Sequence, residues 1–347
     1  MIRGKIKYTQ NIKIPNLESI HIDFSSDEAE YASSQIRTTT NLFYEENKAK
    51  TGVGWAKAFW NQGLKLRPLL PKIERISNPN NKSPYYVFYC NYNNVIVDLM
   101  EEIWRDIPKD LHEDEVIQVI GSLMARQVEL GLKLAKNIDL WEWNVGPLIL
   151  RSMTDCCITL LWILKSPNEN SRKYISSGLG QIKLEIEHYK EILEDLEEED
   201  KVFAEKMIEM REIWHNSQHY TFLQEVDVGS WSGMSTRKMA EHCNCSDLYK
   251  FAYKPYSNCA HNSWSHVGLF NSSYSEWAFH KYTRVPTVME WPIEPDIFMN
   301  SAKYVQKVMD CVIKHYDLNC IVERPYNWAA NNINELLEKL YEKHSSK

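Results

Sequence analysis

A chain of 347 residues with 44% hydrophobic and 25% charged side chains has the make-up of an ordinary globular protein, long enough for one large domain or two smaller ones. Its net charge of −7 argues against a broad nucleic-acid or anionic-membrane surface but leaves room for a small basic site. Only 12 Gly and 13 Pro leave little scope for a turn-rich β-architecture. The N-terminal segment has no apolar signal core, and eight Cys without such a signal fit free thiols in a reducing compartment. The longest apolar run, Cys156 to Leu164 broken by Thr159, falls well short of the roughly 20 residues a membrane span needs. A cytoplasmic protein without membrane contact is expected. The 12 Trp and 19 Tyr should give it a core rich in rings whose polar tips need partners.

Residues 1 to 35 fit a strand or an extended arm equally well. From Thr39 to Ile76 the pattern turns helical, with Pro68 and Pro71 as breaks. The segment 77–84, SNPNNKSP, reads as a loop and divides an N-terminal lobe (1–80) from a helical bundle (85–347). Val95, Leu99, Ile103 and Trp104 then mark an apolar helix face. A further helix is expected over 114–136, with Val116, Ile120, Leu123, Leu130 and Leu134 along one stripe.

The stretch from Leu148 to Leu164 has neither Gly nor Pro and is apolar around nearly its whole circumference, which predicts a central, buried helix. Arg151, Asp155 and Thr159 follow at i, i+4 and i+8 and form one polar ridge on it, placed inside the protein if the helix is central. Two readings stand side by side. The ridge is an ion pair that only fixes packing, or it is one wall of a polar pocket.

Beyond PNENS (167–171), Ile175, Leu179, Ile182, Ile186, Tyr189, Leu193 and Leu196 step by fours and threes, as a heptad seam does. After an acidic turn, Glu194 to Asp200, the spacing continues in Phe203, Met207, Met210 and Trp214. An antiparallel helix pair over about 172–216 is expected, with these two seams facing each other. A loop follows over 217–235, then short helices capped by Ser235 and Ser246. Thr283 to Pro295 looks irregular. A last long helix carries Phe298, Ala302, Val305, Met309, Val312 and Tyr316, and an amphipathic tail runs from Asn331 to His344. The fold class is all-α.

Tyr249, Tyr253, Ser257 and His261 lie four apart and would form one ridge of hydroxyls and an imidazole on a helix. Pro255 should kink that helix or start a new one. Core packing explains such a ridge as readily as chemistry does. In their order, Arg151-x3-Asp155, then WSGMSTRKMAE with Arg237, Ala240 and Glu241, then the Tyr/Ser/His segment resemble the bacterial domain of unknown function 5677 over roughly residues 115 to 315. The resemblance implies an all-helical fold and supplies no activity. Asp155 stands where Glu is more usual in it, and Asn262 follows His261 in place of a small residue. More weakly, Arg237-x4-His242 resembles the motif of the HEPN helical ribonucleases, in which an Arg and a His polarise a phosphodiester. His242, Cys243, Cys245, Cys259, His261 and His266 are zinc-ligand types, but C-x-C followed by C-x-H lacks knuckle spacing, so neither a metal nor another cofactor is expected.

Two functional classes follow. In the first the protein is a metal-independent phosphodiesterase or ribonuclease-like effector. Arg151 stabilises an anion, Asp155 orients it, and Ser257 and His261 complete the catalytic set; Tyr249, Tyr253, Arg237 and His266 bind the substrate. In the second it is a non-catalytic module that senses a ligand or partner through its polar core. RNA, a small phosphorylated ligand, a protein partner or a second copy are the expected partners. The resemblances imply a setting in bacterial defence or stress response.

Overall fold

The computed structural model describes residues 73–76, 83–110, 114–222 and 232–345. The chain divides into two compact units, residues 1–70 with 108–117 and residues 71–107 with 118–347. The strand or arm expected at 1–35, the helical text of 39–72 and most of the 77–84 loop lie outside the described residues. Apart from the first residues of α2, everything below concerns the second unit, which among the described residues is helical apart from one short hairpin.

Helix α1 (Pro84–Asp106) begins with proline in its first turn, where a missing N–H removes no helical bond. It buries Tyr92, Ile96, Leu99 and Ile103 completely, one stripe at i, i+4, i+7 and i+11. Helix α2 (Glu115–Lys136) has Glu115 in its first turn and Lys133 and Lys136 in its last, as the helix dipole favours. Gly121 lets the two helices approach, because any Cβ there would run into the Trp104 ring. A 3₁₀ turn (Ile138–Leu140) then delivers Trp141 to the centre of the unit.

Helix α3 (Gly146–Ile163) is the predicted central helix. Pro147 opens it, and helices α4, α6, α8 and α10, defined below, pack around it. It is long and apolar enough to cross a membrane by length and composition, yet it lies among the other helices with Leu150, Met153, Ile158 and Leu160 fully buried. Its polar ridge is a partial correction. Thr159 is buried, but Arg151 keeps 19% of its side chain exposed and Asp155 47%, so the ridge runs from the core to its margin.

Helices α4 (Pro167–Ile192) and α5 (Glu198–Phe222) form the expected antiparallel pair, and α5 extends into what reads as loop in the sequence. Leu179 and Ile186 of the first seam are buried. The second seam is rotated relative to expectation. Helix α5 buries Ala204 and Ile208, while Phe203 and Met210 are each 65% exposed, Trp214 is about half exposed and Met207 is half-buried. The 203-207-210-214 spacing is a true helical stripe, but a neighbouring stripe with a small residue lets the helices come closer. Arg211–Glu185 (3.1 Å) and Lys190–Glu212 (2.9 Å) bridge the pair, and exposed pairs of this kind, screened by solvent, contribute little. Its stability therefore rests on burial. Ile186→Ala is expected to destabilise by about 2–5 kcal/mol; a denaturation midpoint that does not move would show that the seam is not packed.

Helix α6 (Thr236–His242) is capped by Ser235, whose hydroxyl accepts from the Lys238 N–H at 3.4 Å. Then come α7 (Ser246–Leu248), a π-helical turn (Tyr249–Tyr253), α8 (Lys254–Ala260) and α9 (Trp264–Phe270). The π turn is the answer to Pro255. Proline lacks an N–H and its ring crowds the carbonyl four residues back, and widening the preceding turn relieves both. The segment expected to be irregular contains a strand, β2 (Arg284–Pro286), antiparallel to β1 (Ser272–Tyr274) with Tyr274 opposite Arg284. Helix α10 (Pro295–Tyr316) buries Phe298, Ala302, Val305, Met309 and Val312, as its spacing predicts. Asp317 ends it in the left-handed conformation, φ 52°. Helix α11 (Pro325–Ser345) packs Ala329, Ile333 and Leu336 inward. At the centre, Trp141 stacks on Phe298 with centroids 4.7 Å apart and planes 11° apart, and Phe88, Tyr92 and Trp328 crowd around them.

Candidate functional site

The site is built where α3 meets the π turn and α8. Arg151 lies in the second turn of α3, and its Nε donates to Ser257 Oγ at 2.8 Å. Its Nη2 donates to the Tyr253 hydroxyl, and its guanidinium carbon lies 3.4 Å from the Tyr253 ring centroid. Hydrogen bonds from a charged donor are worth about 1.5–3 kcal/mol, and a cation over a ring adds up to about 2 kcal/mol when water is excluded. Asp155 is the looser partner, 3.7 Å away across one helical turn. Burial pushes its carboxyl above the ordinary range and Arg151 pulls it partly back.

The stack continues outward. Tyr249 lies on Tyr253 with centroids 5.0 Å apart and planes 21° apart. Tyr253 also donates to Thr236 on α6 at 3.4 Å, and Ser257 donates to the Tyr253 carbonyl at 2.7 Å. The four-residue ridge read in the sequence is thus real for three of its members, and the π turn carries two of them. Tyr249 in turn lines an open groove of about 300 Å³ with Arg237, Glu241, Ser246, Lys250 and Lys254. Arg237 pairs with Glu241 at 2.9 Å, and that bond raises the guanidinium pKa further. Three cations face one carboxylate here, on a chain whose overall charge is −7.

Not all the candidate residues converge. His261 caps the C-terminal end of α8 and is exposed; its backbone N–H donates to the Ser257 carbonyl at 3.0 Å, but among the described residues its imidazole forms no hydrogen bond to Arg151, Asp155 or Ser257. His266 is buried on a different side of the segment. Its Nε2 lies 3.1 Å from the Asn144 carbonyl and its ring tilts over Phe270 at 4.7 Å. Cys259 donates to that same carbonyl at 3.1 Å. Both hold the turn before α3, where the Glu142 carboxylate accepts from the N–H groups of Asn144 and Val145. His242 is exposed at the last residue of α6, five positions from Arg237 and so turned away from it around the helix. Among the described residues no group of three His, Cys, Asp or Glu side chains is arranged to hold a metal ion. Burial raises the thiols, Cys156 to about 12 and Cys243 to about 11.

Lys250 and Lys254 were not singled out in the sequence. The signal was there, since they are four apart and next to the two tyrosines, but isolated lysines are ordinary surface residues. The groove's other wall, α6, reaches them only through the fold.

Residues 118–275 match the model of a family described as being of unknown function, DUF5677. The matched stretch runs from α2 to the end of β1 and holds the whole Arg151–Tyr253–Tyr249 stack and the groove. No curated protein and no solved structure gives a significant match.

Proposed function

Because residues 118–275 are a DUF5677 region and the family is one of unknown function, we propose a function from the site itself: this region recognises a small phosphorylated ligand that carries a flat ring, such as a nucleotide. The observation that supports it is the position of Tyr249, stacked on Tyr253 and lining the groove with Arg237, Lys250 and Lys254. A phosphate gains most from cations gathered at one concave place, and a base or similar ring extends an aromatic stack. Arg151 anchors that stack from inside: held by Ser257 and Tyr253, it fixes the inner ring.

Recognition is better supported than phosphodiester cleavage. Acid–base cleavage needs a proton acceptor within hydrogen-bond reach of the reacting atoms. Neither His242 nor His261 lines the groove, Asp155 is tied to Arg151, and Glu241, the carboxylate that does line it, is paired with Arg237 at 2.9 Å. Under this reading the groove takes a small free nucleotide and not a strand, and the setting proposed for it is signalling in bacterial defence or stress response.

Calorimetric titration with adenosine and uridine 5′-monophosphates, and with inorganic phosphate, tests the proposal. Unmodified protein should bind the nucleotides. Lys250→Glu with Lys254→Glu should weaken binding by about tenfold or more, a change of about 1.4 kcal/mol per decade. Tyr249→Leu should weaken nucleotide binding and leave phosphate binding unchanged. Absence of heat with every probe, or an unaltered affinity in the folded double variant, would overturn it.

A further inference from the structure

The β1–β2 hairpin is a second surface, separate in sequence from the groove residues. Between the strands, residues 275–283 are ordered by their own backbone. The Ser275 N–H donates to the Thr283 carbonyl at 2.9 Å, the His280 N–H to Trp277 at 2.9 Å and the Thr283 N–H to His280 at 2.8 Å. Ser275 Oγ accepts from the Trp277 N–H at 3.1 Å. This well-tied loop nevertheless turns its rings outward: Phe279 is 90% exposed, Tyr282 81% and Trp277 68%. Exposing several large rings on one small excursion is unfavourable unless something covers them, and such patches mark interaction sites.

The chemistry of the patch narrows the occupant. From Tyr274 to Arg284 the sequence is YSEWAFHKYTR, with four aromatic rings, one histidine, two cations and a single carboxylate, Glu276; the hairpin's aliphatic side chain, Val285, lies beyond this tip in β2 and is 37% exposed, well below Trp277, Phe279 and Tyr282. A lipid-inserting tip or an apolar protein interface would be expected to carry aliphatic side chains beside its rings. Here cations accompany them. Arg284 lies over the Tyr274 ring at 4.2 Å and Lys281 over Tyr282 at 5.0 Å. Rings that stack unpaired bases, interleaved with cations that meet the phosphates between them, are the elements of single-strand nucleic-acid binding. We infer that this hairpin is a docking surface for single-stranded nucleic acid. Trp277 and Phe279 stack bases, and Lys281 and Arg284 contact the backbone. The positive charge of this tip on an acidic protein fits a partner held locally, not along a broad surface.

Fluorescence anisotropy of a labelled oligouridylate, with the full chain, is the test. The single strand should bind, the same strand annealed to oligoadenylate should bind more weakly, and added salt should weaken both. Trp277→Ala with Phe279→Ala should lower single-strand affinity by at least about tenfold and leave the melting temperature unchanged, because both rings are exposed. The groove variant Lys250→Glu/Lys254→Glu should keep strand binding, which separates this inference from the nucleotide site. Lack of binding by the unmodified protein would overturn it. So would equal affinity in the hairpin variant, loss of binding in the groove variant alone, or hairpin-dependent binding to phosphatidylglycerol vesicles without binding to the strand.

Discussion

Replacing Trp141 with alanine should cost about 3–5 kcal/mol of stability, the range for removing a buried large ring. Nothing of Trp141 is exposed; one face stacks on Phe298 and its edge meets Tyr85, with centroids 6.0 Å apart. Its indole N–H donates to the Leu134 carbonyl at 2.9 Å, at the end of α2. Alanine therefore leaves a cavity and removes the shorter of two hydrogen bonds to that carbonyl, which still accepts from the Asn137 N–H at 3.2 Å, so the cavity is the larger loss. With typical total stabilities of about 5–15 kcal/mol, the variant should sit near the edge of folding. Trp141→Phe should retain part of the packing and lose the hydrogen bond, falling between the two. Chemical denaturation followed by far-ultraviolet dichroism measures this, and a Trp141→Ala midpoint within error of the parent would refute the central role of the ring stack.

Arg151→Met should have the next largest effect, about 2–3 kcal/mol, from loss of charged hydrogen bonds to Ser257 and Tyr253 and of the cation over the ring. The figure stays below that for a fully buried pair because part of the guanidinium and nearly half of Asp155 meet solvent. Removing Arg151 also removes the one influence that lowers the Asp155 pKa. Since that carboxyl is already raised in the folded state, its charged form opposes folding. The contribution is present at low pH and is lost as pH rises through the folded-state value. The deficit of Arg151→Met should accordingly be smaller in acid than at neutral pH, and Arg151→Met with Asp155→Leu should recover part of it. The same variants separate packing from function. If the stack positions Tyr249 for a ligand, the double variant stays folded and loses nucleotide binding. A folded double variant with full affinity would reduce the ridge to packing. His261→Ala, at an exposed helix end, should change stability by no more than about 0.5 kcal/mol.

How much of this was legible in the residues differs from one element to the next. Helix α3 was readable because 17 residues without Gly or Pro, apolar around nearly the whole circumference, can satisfy their backbone and bury their surface in only one way. Helix α10 was readable for its 4-3 spacing. The contact of Arg151 with Ser257 and Tyr253 was foreshadowed only as two polar ridges that needed partners, since an Arg near a core must be paired. His266 was grouped with the others through its proximity in the chain, whereas the turn at Asn262, φ 50°, sends α9 elsewhere.

Local periodicity, proline and glycine placement and the demand that buried charge be paired determined the all-α class, the central helix, the helix pair and the residues worth suspecting. These are properties of a few consecutive turns, and they survive in any fold the chain could adopt. The tertiary structure alone decided which stripe of α5 turns inward, where α6 stands against the π turn, and that Arg237, Tyr249, Lys250 and Lys254 share one groove. The physical reason is the same in each case. Rotating a helix by one residue about its axis changes its neighbours by about 100° while leaving its sequence pattern intact, and only close packing against a particular partner selects between the alternatives.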